Sequence, residues 1–111
     1  MITIDDLQKV DIRVGKIISC SLIPKEQAKY STHKLEVDFG KELGVKKSCA
    51  RLINYTLEEL KGRLIIAVTN LVPRQIGKNI SEVLVIGTPD DNNECILISP
   101  GENAKLGTRV Y

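Results

Sequence analysis

The most constraining feature of this 111-residue sequence is a series of short apolar runs separated by turn-forming residues. In residues 33–40, HKLEVDFG, the apolar Leu35, Val37 and Phe39 alternate with charged residues. This alternation is typical of a strand that has one face in the core. Two further apolar runs, residues 64–68 and 83–86, flank a polar turn. The chain is therefore predicted to be mainly β, with short strands.

Two short helices are predicted between the strands. Thr3 is a suitable N-cap for the first helix, and acidic residues follow it in the first turn. Thr56 and Glu59 have the spacing of a capping box, and Gly62 follows as a C-cap signal. The second helix lies between the third and fourth main strands, which argues against the competing prediction of an open β-sandwich.

The predicted order of elements favours a small barrel. Gly15 lies inside the long first strand, residues 11–22, and a glycine there often marks a bulge or bend. The other predicted strands are residues 33–40, 45–52, 63–69, 81–87, 95–99 and 108–111. Short strands with helical connections are typical of the oligonucleotide/oligosaccharide-binding (OB) barrel. We expect one OB domain over residues 1–111, which is an ordinary domain length.

Positive charge is concentrated in the first half of the chain. The formal net charge is +2, but residues 9–51 hold ten Lys and Arg against five Asp and Glu. This asymmetry predicts a local anion-binding face, and a solvated lysine-rich surface is the alternative. The candidate RNA-binding residues chosen by charge and placement are Lys34, Lys46, Lys47, Arg51 and Lys78.

The polar turn after residues 64–68 supplies a second set of candidates. Its amide, guanidinium and hydroxyl groups are of the types that contact phosphate and sugar: Asn70, Arg74 and Ser81. Such contacts position a nucleic acid more than they read its sequence. The alternative is that Asn70 caps a strand end and that Arg74 and Lys78 are solvated turn residues. Aromatic residues amount to 4% of the chain, so a base-stacking platform is expected to be poor.

No metal, cofactor or catalytic site is predicted. The three cysteines, Cys20, Cys49 and Cys95, form no CxxC pair, and His33 is the only histidine. A nucleophilic pair of Cys49 with His33 is the one enzymatic alternative. Free thiols suit a reducing cytoplasm. The N-terminus lacks signal-peptide features, and no apolar run approaches the length of a membrane span. We therefore expect a cytoplasmic, non-enzymatic protein.

Six motifs in order along the chain resemble those of the tRNA-binding domain family, which includes the C-terminal domain of many bacterial methionyl-tRNA synthetases. They are KVDIRVGKI (9–17), KLEVDFG (34–40), GVKKSCA (44–50), YTLEELKGR (55–63), NLVPRQIG (70–77) and SEVLV (81–85). The third and sixth are most similar to the CsaA branch of the family. Relatives that bind tRNA typically have Ser-x-Gly-Met where this chain has Ser81, Glu82, Val83 and Leu84. This difference favours the CsaA branch.

The resemblance implies an OB barrel and, in the CsaA branch, a homodimer. In the CsaA branch it implies an export-related chaperone that binds unfolded or precursor polypeptides and the export ATPase. In the wider family it implies binding of tRNA by shape, and this is the alternative function. By resemblance, Asn70, Arg74 and Ser81 are the expected RNA contacts. The short N-terminal helix, Val110 and Tyr111 are expected to meet the second copy at a two-fold axis.

Overall fold

The computed structural model describes residues 1–111, which form nine short strands and a few short helical segments. The elements are α1 (Ile4–Gln8), β1 (Ile12–Leu22), a 3₁₀ turn (Lys25–Gln27), β2 (His33–Asp38), β3 (Val45–Ala50), α2 (Leu57–Leu60), β4 (Leu64–Val68), β5 (Arg74–Ile76), β6 (Asn79–Ser81), β7 (Leu84–Val85), β8 (Gly87–Pro89) and β9 (Cys95–Leu97). None of the helices has the length and apolar character needed to cross a bilayer.

A five-stranded antiparallel sheet in the order β3-β2-β1-β4-β7 forms the barrel wall. The long strand β1 belongs to the centre of this sheet, because its first half pairs with β4 and its second half with β2. The mainly β, OB-like fold predicted from the sequence is confirmed, and both helices begin at capping boxes, Thr3 with Asp6 and Thr56 with Glu59.

Gly15 does not mark the irregularity of β1, contrary to the prediction. The register shifts between Ile17 and Ser19 instead. A Cβ atom on Gly15 would lie 2.5 Å from Val37 Cγ1 and 2.7 Å from Phe39 Cε1. Glycine is therefore required because β1 passes directly over the core side chains of the next strand.

The core is aliphatic apart from Phe39. Leu35, Val37 and Phe39 are 2%, 0% and 1% exposed, which confirms the inward face predicted from their alternation. Ile17, Leu52, Leu60 and Ile65 complete the centre of the cluster. Because α2 supplies the fully buried Leu60, this short helix closes one part of the core.

Residues 69–87 differ most from the sequence prediction. The segment expected to be only a turn contains the hairpin β5–β6, in which Arg74 pairs with Ser81 and Ile76 with Asn79. The single strand expected over residues 81–87 is divided among β6, β7 and β8. At the C-terminus, the strand expected over residues 108–111 is reduced to one bridge between Arg13 and Arg109.

Candidate functional site

One face of strands β1, β2 and β3 points away from the core and carries two rows of side chains; we call it the outer face. The first row is Ser19, Glu36 and Lys47, and the second is Ser21, Lys34 and Cys49. This arrangement follows from the antiparallel register, since residues paired across strands lie on the same side of a sheet. The opposite side of β2 holds the buried core residues.

The hairpin β5–β6 forms one wall of a groove on the outer face. Lys78, Asn79 and Ile80 of the hairpin line the groove together with the outer-face residues, and its volume is about 400 Å³. At the hairpin turn, Gly77 has a φ of +60° and packs against the carbonyl group of Gln27 so closely that a side chain has no space. The hairpin turn is therefore in contact with the segment that follows β1.

The groove is basic and has no aromatic lining. Lys34, Lys47 and Lys78 line it, and Glu36 is the only carboxylate among the lining residues. The Glu36 carboxylate accepts a hydrogen bond from Ser19 Oγ at 2.7 Å. A lining that contains three lysines suits an anionic chain such as a phosphate backbone. We call this cleft the basic groove.

Arg74 and Asn70 have different environments, although both were predicted to contact RNA. Arg74 is exposed, and its guanidinium has no hydrogen-bond partner in the chain. Asn70 Nδ2 donates to the Lys9 carbonyl at 2.7 Å, and its Oδ1 accepts from the Asp11 N–H at 3.0 Å. The Asn70 amide thus holds the link between α1 and β1, while Arg74 is available to a ligand.

Ser81 is buried at the junction of β6 and β3. Its Oγ accepts a hydrogen bond from the Cys49 N–H at 3.0 Å and donates to the Val83 carbonyl at 3.3 Å. Only 7% of the residue is exposed. Its contact with RNA remains a prediction, and within the chain the hydroxyl has a structural role.

Lys46 and Arg51 do not belong to the basic groove. Lys46 is paired with the buried Val37 and lies on the opposite side of β3 from Lys47. The Arg51 side chain forms a two-pronged ion pair with Glu94, with Nε to Oε2 at 2.9 Å and Nη2 to Oε1 at 3.0 Å. The structure therefore brings together Lys34, Lys47 and Lys78, with Arg74 on the same hairpin as Lys78.

Glu82 has a structural role that the sequence interpretation missed. Its N–H donates to the Lys47 carbonyl at 2.8 Å, and its Oε1 accepts from the Lys47 N–H at 3.0 Å. Beside this pair, Ser48 Oγ donates to the Val83 carbonyl at 2.9 Å. The Glu82 carboxylate therefore pairs with the β3 backbone. No local pattern indicates this partner, which lies 35 positions away.

The pair of Cys49 with His33, which was the enzymatic alternative, is not formed. His33 is paired with Ala50 and points to the core side, whereas Cys49 is paired with Lys34 on the outer face. Burial lowers the pKa of His33, whose Nδ1 lies 2.7 Å from Thr32 Oγ1. Burial also raises the pKa of the Cys49 thiol, against the smaller opposing effects of Lys34 and Arg74. A neutral thiol without a nearby base is a poor nucleophile.

Comparison with known proteins agrees with this architecture. A family model described as "Putative tRNA binding domain" matches residues 12–109. The chain belongs to the tRNA-binding domain family. A methionine–tRNA ligase of Clostridium perfringens is 38% identical over 103 residues, which cover 91% of this chain and 15% of the ligase. The chain thus spans about a seventh of the length of that relative.

Two solved structures described as CsaA chaperones are similar over their whole length. The CsaA chaperone protein of Picrophilus torridus is 39% identical, with a TM-score of 0.91 and complete coverage of both chains. The chaperone CsaA of Bacillus anthracis is 32% identical, with a TM-score of 0.86, and the match covers 100% of this chain and 99% of that one. The resemblance to the CsaA branch is therefore confirmed.

Replacing Ser81 with alanine is expected to lower the free energy of unfolding by about 1–3 kcal/mol, because the buried Cys49 N–H loses its acceptor. Chemical denaturation measures the change. Ser99→Ala is the control, since Ser99 is exposed and is expected to change stability by less than about 0.5 kcal/mol. Equal stability of the Ser81→Ala variant and the original protein would contradict a structural role for this hydroxyl.

Proposed function

We propose that this protein binds tRNA through the phosphate backbone and performs no chemical step of its own. The observation that carries the proposal is the convergence of Lys34, Lys47 and Lys78 in one groove. Membership of the tRNA-binding domain family supports tRNA as the ligand. Residues 1–111 would act as one tRNA-binding-type domain, and their radius of gyration of 13.9 Å is close to that of a compact domain of this length.

The chemistry of the groove supports recognition by shape. Phosphate contacts carry no direct sequence information, and no aromatic ring lines the groove to stack on bases. Arg74 adds a planar donor on the hairpin that forms one wall, and guanidinium groups bind phosphate in a two-pronged manner. The ligand would therefore be selected by the spacing of its phosphates.

Lys47→Ala is expected to weaken tRNA binding by a similar factor for all tRNAs. It should also reduce the slope of log K against log salt concentration by about one unit, because the variant neutralises one phosphate fewer. Gel-shift titration of total tRNA at two salt concentrations measures both effects. Lys46→Ala is the matched control, because it removes the same charge from the opposite side of β3.

Two results would contradict the proposal. One is an equal decrease of affinity in Lys46→Ala and Lys47→Ala, which would indicate an effect of net charge alone. The other is binding of tRNA by the original protein that does not respond to salt, because phosphate contacts release counterions.

A second candidate function is that of a CsaA-like, export-related chaperone. The likeness of the whole chain to two CsaA chaperone structures supports it. Exposed apolar side chains supply a surface for unfolded or precursor polypeptides, and the export ATPase is the further partner proposed for this function. Large apolar residues at least 46% exposed in the terminal segments and near the hairpin are Met1, Ile2, Ile4, Leu7, Leu71, Val72, Ile80 and Tyr111.

The chaperone function predicts that a molar excess of the protein delays the aggregation of a chemically denatured client after dilution. Light scattering follows the aggregation, and bovine serum albumin at the same mass concentration is the control for crowding. Ile80→Asp should shorten the delay, since it places a charge at an exposed apolar position in the wall of the groove. Aggregation at the control rate would contradict this function.

We further propose that the protein is a cytoplasmic homodimer whose interface includes α1 and the C-terminal residues. Hydrogen bonds bring the two termini together: Arg109 Nη2 donates to the Gln8 carbonyl at 2.9 Å, and the Val110 N–H donates to the Ile12 carbonyl at 2.8 Å. Ile4 and Leu7 on α1 are 65% and 46% exposed, and Tyr111 is fully exposed. A second copy would remove these side chains from water.

Leu7→Asp is expected to shift the protein from dimer to monomer, because it buries a charge in the proposed interface. Sedimentation velocity at micromolar concentration measures the mass. Leu84→Asp is the control, since Leu84 is equally exposed, at 46%, but belongs to β7. A monomeric mass for the original protein would contradict the proposed dimer.

A further inference from the structure

The outer face continues beyond the basic groove toward the segment that joins β1 to β2. The next row on the same side of the three strands is Ile23, Thr32 and Arg51. These residues lie two positions along the chain from Ser21, Lys34 and Cys49, the second row of the outer face. Hydrogen bonds from the Ile23 N–H to the Thr32 carbonyl at 2.8 Å and from the Thr32 N–H to the Ala50 carbonyl at 3.0 Å extend the sheet to this row. The basic groove and the surface around this row therefore form one continuous face of the sheet.

A second cavity of about 360 Å³ lies at the end of this continuous face. Its lining contains three cationic side chains and one aromatic ring: Lys25, Lys29, Arg51 and Tyr30. We call this cavity the loop pocket. It differs from the basic groove because it offers a ring together with positive charge.

Tyr30 is the one aromatic side chain placed beside the basic surface. It is 70% exposed, and Lys29 Nζ lies 5.4 Å from the centre of its ring. The other aromatic residues are elsewhere: Phe39 is in the core, Tyr55 lies under Arg63 and accepts a hydrogen bond from the Leu97 N–H, and Tyr111 is the last residue. Most of the Tyr30 ring remains open to a ligand.

Arg51 is held in position by its ion pair with Glu94, which uses Nε and Nη2. Nη1 has no hydrogen-bond partner in the chain, and the side chain is 47% exposed. The guanidinium is thus fixed at the edge of the pocket with one donor group directed to no protein acceptor. A fixed donor loses less conformational entropy on binding an anion than a mobile lysine does.

We propose that the loop pocket binds an unpaired nucleotide of the RNA, with its base stacked on Tyr30 and its phosphate bound by Arg51, Lys25 and Lys29. This proposal rests on the proposed RNA-binding function and deepens it. The basic groove contacts the phosphate backbone, while the loop pocket requires a base that is free to stack. A base in a duplex is already stacked on its neighbours, so the pocket selects for single-stranded segments.

Fluorescence anisotropy with two labelled RNAs tests the proposal: a ten-residue oligouridylate and a duplex of ten base pairs. Tyr30→Ala is expected to weaken binding of the oligouridylate about tenfold, which is typical for the loss of one base–aromatic stack. Affinity for the duplex should stay unchanged. Tyr30→Phe is the matched control and should bind the oligouridylate as the original protein does, because phenylalanine retains the ring.

The outcomes separate this proposal from the one on which it rests. If the original protein binds neither these two RNAs nor total tRNA, the proposed RNA-binding function is wrong and the pocket proposal falls with it. If it binds total tRNA but not the oligouridylate, only the pocket proposal is overturned. If the original protein binds both RNAs and Tyr30→Ala binds the oligouridylate equally well, only the pocket proposal is overturned. A loss in Tyr30→Phe as large as in Tyr30→Ala would also overturn it, since the hydroxyl would then be responsible. Thermal unfolding of both variants verifies that the exposed site leaves the fold intact.

Discussion

The hydrogen bonds between β3 and residues 81–83 are the interaction on which the rest of this structure depends. Ser81, Glu82 and Val83 pair with the backbone of Lys47 and Cys49 and with the side chain of Ser48. These hydrogen bonds connect the edge strand β3 to the segment that leads into β7, which is at the opposite edge of the sheet. An open edge exposes unpaired N–H and C=O groups, so this contact converts a five-stranded sheet into a closed wall.

The same contact creates the candidate site. Because Ser81 is anchored on β3, the hairpin β5–β6 that precedes it lies beside the outer face and contacts Gln27 at its turn. Lys78 is thereby brought to Lys34 and Lys47, from which it is distant in sequence. No buried side-chain nitrogen or oxygen is left without a partner. Ser81 and Glu82, which close the barrel, therefore have structural roles. The charged residues available to a ligand belong to the strands and the hairpin turn.

Local patterns predicted the parts of the fold that depend on local physics. The alternation around Leu35 and Val37 placed β2 correctly, and the Thr56–Glu59 spacing identified the start of α2. Lys46 and Lys47 were both chosen as RNA contacts, although neighbouring residues of a strand point to opposite sides and the strand pattern alone separates them. The hairpin β5–β6 could not be predicted from local patterns. Its residues are mostly exposed and lack apolar alternation, so its pairing depends on contact with β3.

The sequence by itself determined the family, the mainly β architecture and the excess of positive charge in residues 9–51. It determined these because motifs, alternation and composition are properties of the chain that require no knowledge of long-range pairing. Only the tertiary structure decided that Lys34, Lys47 and Lys78 share a groove while Ser81 and Glu82 close the barrel. A side chain's role follows from its neighbours in space, and those neighbours are set by strand register and barrel closure.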